Sequence, residues 1–248
     1  MSACGQVKVA GLGWVLPFST GSGLEVCRRP DWLTSSPQLN AALNGFDARP
    51  YLSSVKGYLD PASAFFLAAA SLALGQEAHA SGGARRERIG VSTISRYGAP
   101  VSGYKFYEQF LSKGARLASP LVFPHGYSNT AGNLAAIEFG LGGPHMVLYG
   151  TAAVSEAFDF ALNRLGDGTA DQMLVVAYEA VAPEAVPDGL NVLNGAVAVW
   201  LTLDTARPAL VVDLTPECMR SQGGGGVGAG GGSVLNLLSV LQALPAGL

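Results

Sequence analysis

Residues able to act as nucleophiles, bases or metal ligands are scarce in this chain. Its three histidines, His79, His125 and His145, lack the spacing of a metal site. Its three cysteines, Cys4, Cys27 and Cys218, are too far apart for a disulfide framework or a metal knuckle. Neither a metal nor a cofactor is expected. Gly11-Leu12-Gly13 follows an apolar run, as a dinucleotide fingerprint would, but Leu16 stands where the third glycine belongs. No Gly-Lys-Ser/Thr follows a glycine run, and no Gly-x-Ser-x-Gly elbow is present. Two isolated nucleophiles remain, Ser155 and Cys27. An acyltransferase or thioesterase using one of them is a possible reading, although no base with motif support accompanies either.

The 248 residues are 49% hydrophobic and only 13% charged, about half the roughly 25% usual in soluble proteins. Mean hydropathy is +0.30, so the fold must bury an unusual share of its surface. A net charge of −3 gives no reason to expect nucleic acid. The basic cluster Arg85, Arg86 and Arg88, interrupted by Glu87, reads as a solvated loop or as a docking patch for an acidic carrier protein. No apolar run reaches the roughly 18 residues of a membrane span. Lys8, Gly11 and Gly13 break the first apolar run, which argues against a signal peptide. With its unpatterned cysteines, the chain reads as a reduced, cytoplasmic protein.

Short apolar runs alternate with helical patterns. Strands are expected at Val7 to Gly11 (followed by a Gly/Pro loop), Arg88 to Ser95, Met146 to Tyr149 as a buried strand, Gln172 to Tyr178, Ala196 to Leu203 and Ala209 to Leu214. Asp60-Pro61 is a helix start, with an N-cap acid and proline at the first helical position. Ala62 to Leu74 then has no polar face, so that helix must be buried all round. Further helices are expected at Tyr104 to Leu111, from Ser128 or Asn129 to Phe139, at Ser155 to Leu165 and at Val234 to Leu244. The alternation indicates an α/β fold with a largely parallel sheet. The glycine-rich run Gly223 to Gly232 reads as a bend that lets the last helix pack back.

The segment Ser119 to Ala180 resembles the central motif block of β-ketoacyl synthases. In that family a Ser-Pro and a further Pro precede an Asn that opens a helix, here Ser119-Pro120, Pro124 and Asn129. The helix ends in an aromatic-Gly-Leu-x-Gly-Pro turn, here Phe139-Gly140-Leu141-Gly142-Gly143-Pro144. A strand and the nucleophile turn follow, then a helix with an arginine, here Arg164, and Ala170-Asp171 before another strand. Val7 to Gly13, Arg88-Ile89-Gly90-Val91 and Asn194-Gly195 leading into Ala196 to Leu203 resemble the family's flanking strands. The resemblance covers about residues 5 to 215. It implies a thiolase-like α/β fold, mainly the first half of a ketosynthase fold, with buried helices against a mixed, largely parallel sheet. Residues 1–215 would form the ketosynthase N-terminal-like domain, and residues 216–248 a glycine-rich bend and apolar helix packing on it.

The sequence also departs from the family. Counting from Gly143-Pro144 without gaps puts the nucleophile position at Ala152, whereas aligning Thr151-Ala152 with the family's Thr-Ala puts it at Ala153. A methyl group at either position cannot replace the thiolate that holds the acyl chain as a thioester, so no catalytic residue is expected. The family's two catalytic histidines lie in a second half for which residues beyond 215 leave no room, and no histidine follows His145. Gly226 to Gly230 faintly resembles a Gly-His-x-x-Gly segment, with Val227 at the histidine. Ketosynthase-like subunits without the cysteine are chain-length factors. They pair with an active ketosynthase and shape the acyl tunnel at the interface, and short versions resemble those of aryl-polyene-type pathways. The implied partners are an active ketosynthase subunit, as a heterodimer, and an acyl carrier protein through that complex. Phe123, Tyr127, Asn129 and Leu134 would lie at the tunnel and interface; core packing and helix capping is the other reading of these residues. A scaffold that binds carrier protein without touching the acyl chain is a further functional reading.

Overall fold

The computed structural model describes residues 7–23, 39–41, 45–54, 56–79, 85–186, 188, 190–204, 210–211 and 232–243. Its strands are β1 (Lys8–Leu16), β2 (Ser19–Ser22), β3 (Ile89–Ser95), β4 (His145–Tyr149), β5 (Gln172–Glu179), β6 (Gly195–Thr202) and β7 (Leu210–Val211). Its helices are α1 (Pro61–Leu74), α2 (Pro100–Lys113), α3 (Thr130–Phe139), α4 (Val154–Gly166) and α5 (Ser233–Ala243). The strands form one sheet in the order β2-β1-β6-β5-β3-β4, with β7 against the start of β1. Strands β1, β5, β3 and β4 run in one direction and β6 runs against them. The sheet is mixed, as expected, but parallel pairing is confined to β5–β3–β4. Hydrophobic patterning marks strands without giving their direction, so the placement of β6 between β1 and β5 was not legible.

Alternate side chains of β5 point to opposite faces, and each face carries its own core. Met173, Val175 and Ala177 meet α4 and α5, while Leu174, Val176 and Tyr178 meet α1 and α3. The apolar stripe of α4, Val154, Ala157, Phe158, Ala161, Leu162 and Leu165, has the spacing of one buried helix face. Helix α5 presents Val234, Leu235, Leu237, Leu238, Val240 and Leu241 to the same core. Of the glycine-rich bend, only Gly232 is among the described residues. Of the strand expected over 209–214, the described part is Leu210–Val211.

Helix α1 begins as its sequence dictates, with the Asp60 carboxylate accepting from the Ala62 N–H at 2.8 Å and Pro61 in the first turn. All of Ala62 to Leu74 is buried except Leu72, which is half-buried. β1, by contrast, does not stop at Gly11 but runs on to Leu16 and turns back as β2. Its two glycines serve helix packing and not a loop. A Cβ built on Gly13 would lie 2.3 Å from the Ala69 carbonyl oxygen, and one on Gly11 would lie 2.0 Å from that of Ala73. β4, expected to be buried, is the edge strand and is only partly covered, with Tyr149 exposed.

The end of α3 is tied to the chain ahead of α1 by Glu138, a buried residue. Its carboxylate accepts from the backbone and hydroxyl of Ser53 and of Ser54, and it pairs with Lys56. Burial pushes this carboxyl upward, but the bonds from Lys56, Ser54 and Ser53 outweigh it and bring it down from 4.5 to about 2. A depressed carboxyl stabilises the fold above its unfolded value and loses that contribution as pH falls through its folded value. Glu138→Gln is therefore expected to cost about 2–3 kcal/mol at neutral pH. In denaturant melts, the gap between variant and wild type should close as pH falls from 4.5 toward 2. Gly13→Ala should cost about 2–3 kcal/mol by forcing α1 from β1; an unshifted thermal midpoint would contradict the packing described.

Candidate functional site

The site expected from the sequence lies where β3, β4 and β5 end, the carboxyl side on which open α/β sheets bind ligands. Beyond Tyr149 the chain turns at Gly150, whose φ of +79° favours glycine. The Gly150 N–H donates to the Ser95 carbonyl at 3.1 Å, which ties this turn to the end of β3. Ala152 is half-buried against the α4 core, and Ala153 is exposed immediately before α4. The Glu156 carboxylate accepts from the Ala153 N–H at 2.8 Å and holds the entry to the helix. Both positions considered for the nucleophile thus keep an ordered turn but present methyl groups. Ser155 is half-buried in the first turn of α4, and Cys27 lies outside the described residues.

A second carboxylate organises the neighbouring strand ends. Glu179, at the end of β5, is completely buried. It accepts from the Ser95 hydroxyl at 3.1 Å and from the backbone N–H groups of Arg96 at 2.7 Å, Tyr97 at 3.2 Å and Ser233 at 2.9 Å. Burial pushes its carboxyl upward against these bonds. The same group thus joins the ends of β3 and β5 to the start of α5.

The four predicted tunnel and interface residues divide. Phe123 and Tyr127 are exposed, and their rings meet edge to face with centroids 5.2 Å apart. Core packing does not describe these two. Phe106 on α2 extends this ring cluster, tilted against Phe123 with centroids 4.9 Å apart. Asn129 occupies the N-cap position of α3, but its side chain makes no capping bond there. Leu134 is half-buried against the core shared by α1 and α3, not in the ring cluster.

Several residues of this surface were not singled out in the sequence. The outward side of α2 carries Tyr104, Tyr107 and Leu111, 64%, 57% and 65% exposed. Their i, i+3, i+7 spacing was available, but a periodic stripe does not reveal whether it faces a core or solvent. Ile137 on α3 and Tyr149 on β4 are exposed as well. Gly98, just before α2, lies against both the Tyr149 ring and Ser128, so the end of β4, the start of α2 and the 123–128 turn meet.

The basic cluster has structural work. Arg88 donates to both Asp171 carboxylate oxygens at 2.6 Å and to the Gly168 carbonyl at 2.9 Å. Arg86 reaches the carbonyls of Glu77 and Phe139, and Arg85 pairs with Glu87 at 3.0 Å. No helix among the described residues is long and apolar enough to cross a membrane.

Residues 37–197 match the family model of the β-ketoacyl synthase N-terminal domain. No curated protein matches the sequence. Among solved structures, the chain is similar to the ishigamide ketosynthase/chain length factor, with 18% identity and a TM-score of 0.69 over 96% of this chain and 91% of that one. It is also similar to a type II PKS acyl-carrier protein complex with its ketosynthase bound to the hexaketide, at 14% identity and TM-score 0.62 over 79% of this chain and 62% of that one. A third similar structure is the ketosynthase ApeO in complex with its chain length factor ApeC from Xenorhabdus doucetiae, at 15% identity and TM-score 0.51 over 79% of each chain. These likenesses establish the fold.

Proposed function

The chain belongs to the family of the β-ketoacyl synthase N-terminal domain, and we propose that it acts as a chain-length-factor-like subunit. In this reading it performs no condensation itself. It pairs with an active ketosynthase in the cytoplasm and shapes the space taken by a growing polyketide or fatty-acid-type chain. An acyl carrier protein reaches it through that complex.

The observation that carries the reading is the set of exposed apolar side chains on α2 and the 123–127 turn, which meet the end of β4, the edge strand among the described residues, at Gly98. Exposed side chains of this size on one side of a molecule mark a partner surface, and tyrosine and phenylalanine are enriched at such interfaces. An open edge strand adds backbone groups able to pair with another chain. Alanine at both candidate nucleophile positions supports a partner role over independent catalysis. Two of the similar structures hold a ketosynthase with a chain length factor, and another holds a ketosynthase with an acyl-carrier protein.

Co-expression with an active ketosynthase tests the reading. The two should co-purify, and omitting this chain should change product length. Tyr107→Asp should weaken the association about tenfold or more while leaving the thermal midpoint nearly unchanged, because the side chain is exposed. Separate purification of the wild-type proteins, with product length independent of this chain, would contradict the proposal. Intact-mass measurement of the isolated chain after incubation with an acyl thioester should show no covalent adduct. An adduct lost in Ser155→Ala would favour an independent acyltransferase or thioesterase.

A further inference from the structure

Helix α2 carries much of the panel on which the proposed pairing depends, yet Ser102 is the one residue of it that is buried. Along one side it is held by the Phe106–Phe123 ring contact and by the Gln109 side-chain oxygen, which accepts from the Ser119 N–H at 2.9 Å. At its N-terminus stands Ala99, which has no side-chain acceptor for the unpaired N–H groups of the first turn.

The missing cap comes from another part of the chain. Asp60 is fully buried at the start of α1. Its Oδ1 accepts from the Ala62 N–H at 2.8 Å, and its Oδ2 accepts from the Ser102 N–H at 2.8 Å. One carboxylate therefore caps two helices, the second belonging to residues about forty positions further along the chain. The Tyr58 hydroxyl lies 3.0 Å from the Ser102 hydroxyl and secures the same point.

We propose that Asp60 is a positioning residue for partner docking, because its double cap fixes the direction in which α2 leaves the core and hence the pose of Tyr104 and Tyr107. The proposal rests on the reading that the chain pairs with a ketosynthase through that face. The two helices depend on the cap unequally. Side chains buried on every side hold α1 in place, whereas α2 is largely exposed, and an isolated helix of its 14 residues is marginal in water. Asparagine at this position could accept from only one of the two N–H groups, because its amide nitrogen donates.

Hydrogen exchange on the full chain, with and without the co-expressed ketosynthase, tests the proposal. Asp60→Asn should speed exchange of the 100–113 amides about tenfold, leave those of α1 and β5 nearly unchanged, and weaken ketosynthase binding by a similar factor. Tyr58→Phe should produce a smaller change in the same amides. A uniform rise across α1, α2 and β5 would make Asp60 a general stabiliser and overturn the proposal, as would unchanged exchange in α2 or unchanged binding. If Asp60→Asn does not fold, Tyr58→Phe decides, and unaltered exchange in the first turn of α2 overturns the proposal. A wild-type chain that binds no ketosynthase refutes the pairing and the docking role together, while the exchange pattern still shows separately whether the double cap holds α2.

Discussion

A helix without a polar face must be enclosed, and much of this structure encloses α1. β1, β6 and β5 cover one side of it and α3 another. The enclosure works only at very short range, because the carbonyls of Ala69 and Ala73 occupy space that side chains at Gly13 and Gly11 would need. Two glycines thus set the distance between the sheet and its central helix. The polar ends of the arrangement depend on buried carboxylates. Asp60 closes the start of α1, Glu138 ties α3 to the chain ahead of α1, and Glu179 binds the strand ends to α5. Burying these acids is tolerated because each accepts several hydrogen bonds.

What was legible in the sequence follows from the range of the interactions involved. The start of α1 at Asp60-Pro61 is local chemistry, and it lies where expected. The helices and strands of the motif block also follow from short-range patterning. Gly11 and Gly13 misled because close packing and a turn use the same residue, and only the position of α1 distinguishes them. β4 looked buried because its residues are apolar; its place at the sheet edge depends on strand order, which local sequence does not carry. The expected turn beyond β4, with Ala152 and Ala153, could be located by counting. Phe106 and the outward stripe of α2 could not be assigned, because a helical period does not say which side meets water. Asp60 as a cap for α2 was out of reach, since its second partner is distant in sequence.

The same contrast connects structure to the proposed role. The turn after β4 keeps its backbone order, with Gly150 tied to Ser95 and Ala153 tied to Glu156, while both candidate nucleophile positions carry methyl groups. The large side chains of α2 and the 123–127 turn remain on the outside, and α2 starts against the end of β4, the edge strand among the described residues. A chain under selection only to be a compact monomer would be expected to cover or replace such side chains. A subunit completed by another protein needs them where they are.

The central claim is that this face meets a ketosynthase, and exchange protection on complex formation tests it most directly. Amides of β4 and α2, residues 145–149 and 100–113, should become protected when the ketosynthase is bound, while those of β6, already buried in the sheet, should not change. Protection confined to another surface, such as the cleft lined by Phe46, Leu52 and Phe65, or no protection anywhere, would contradict it.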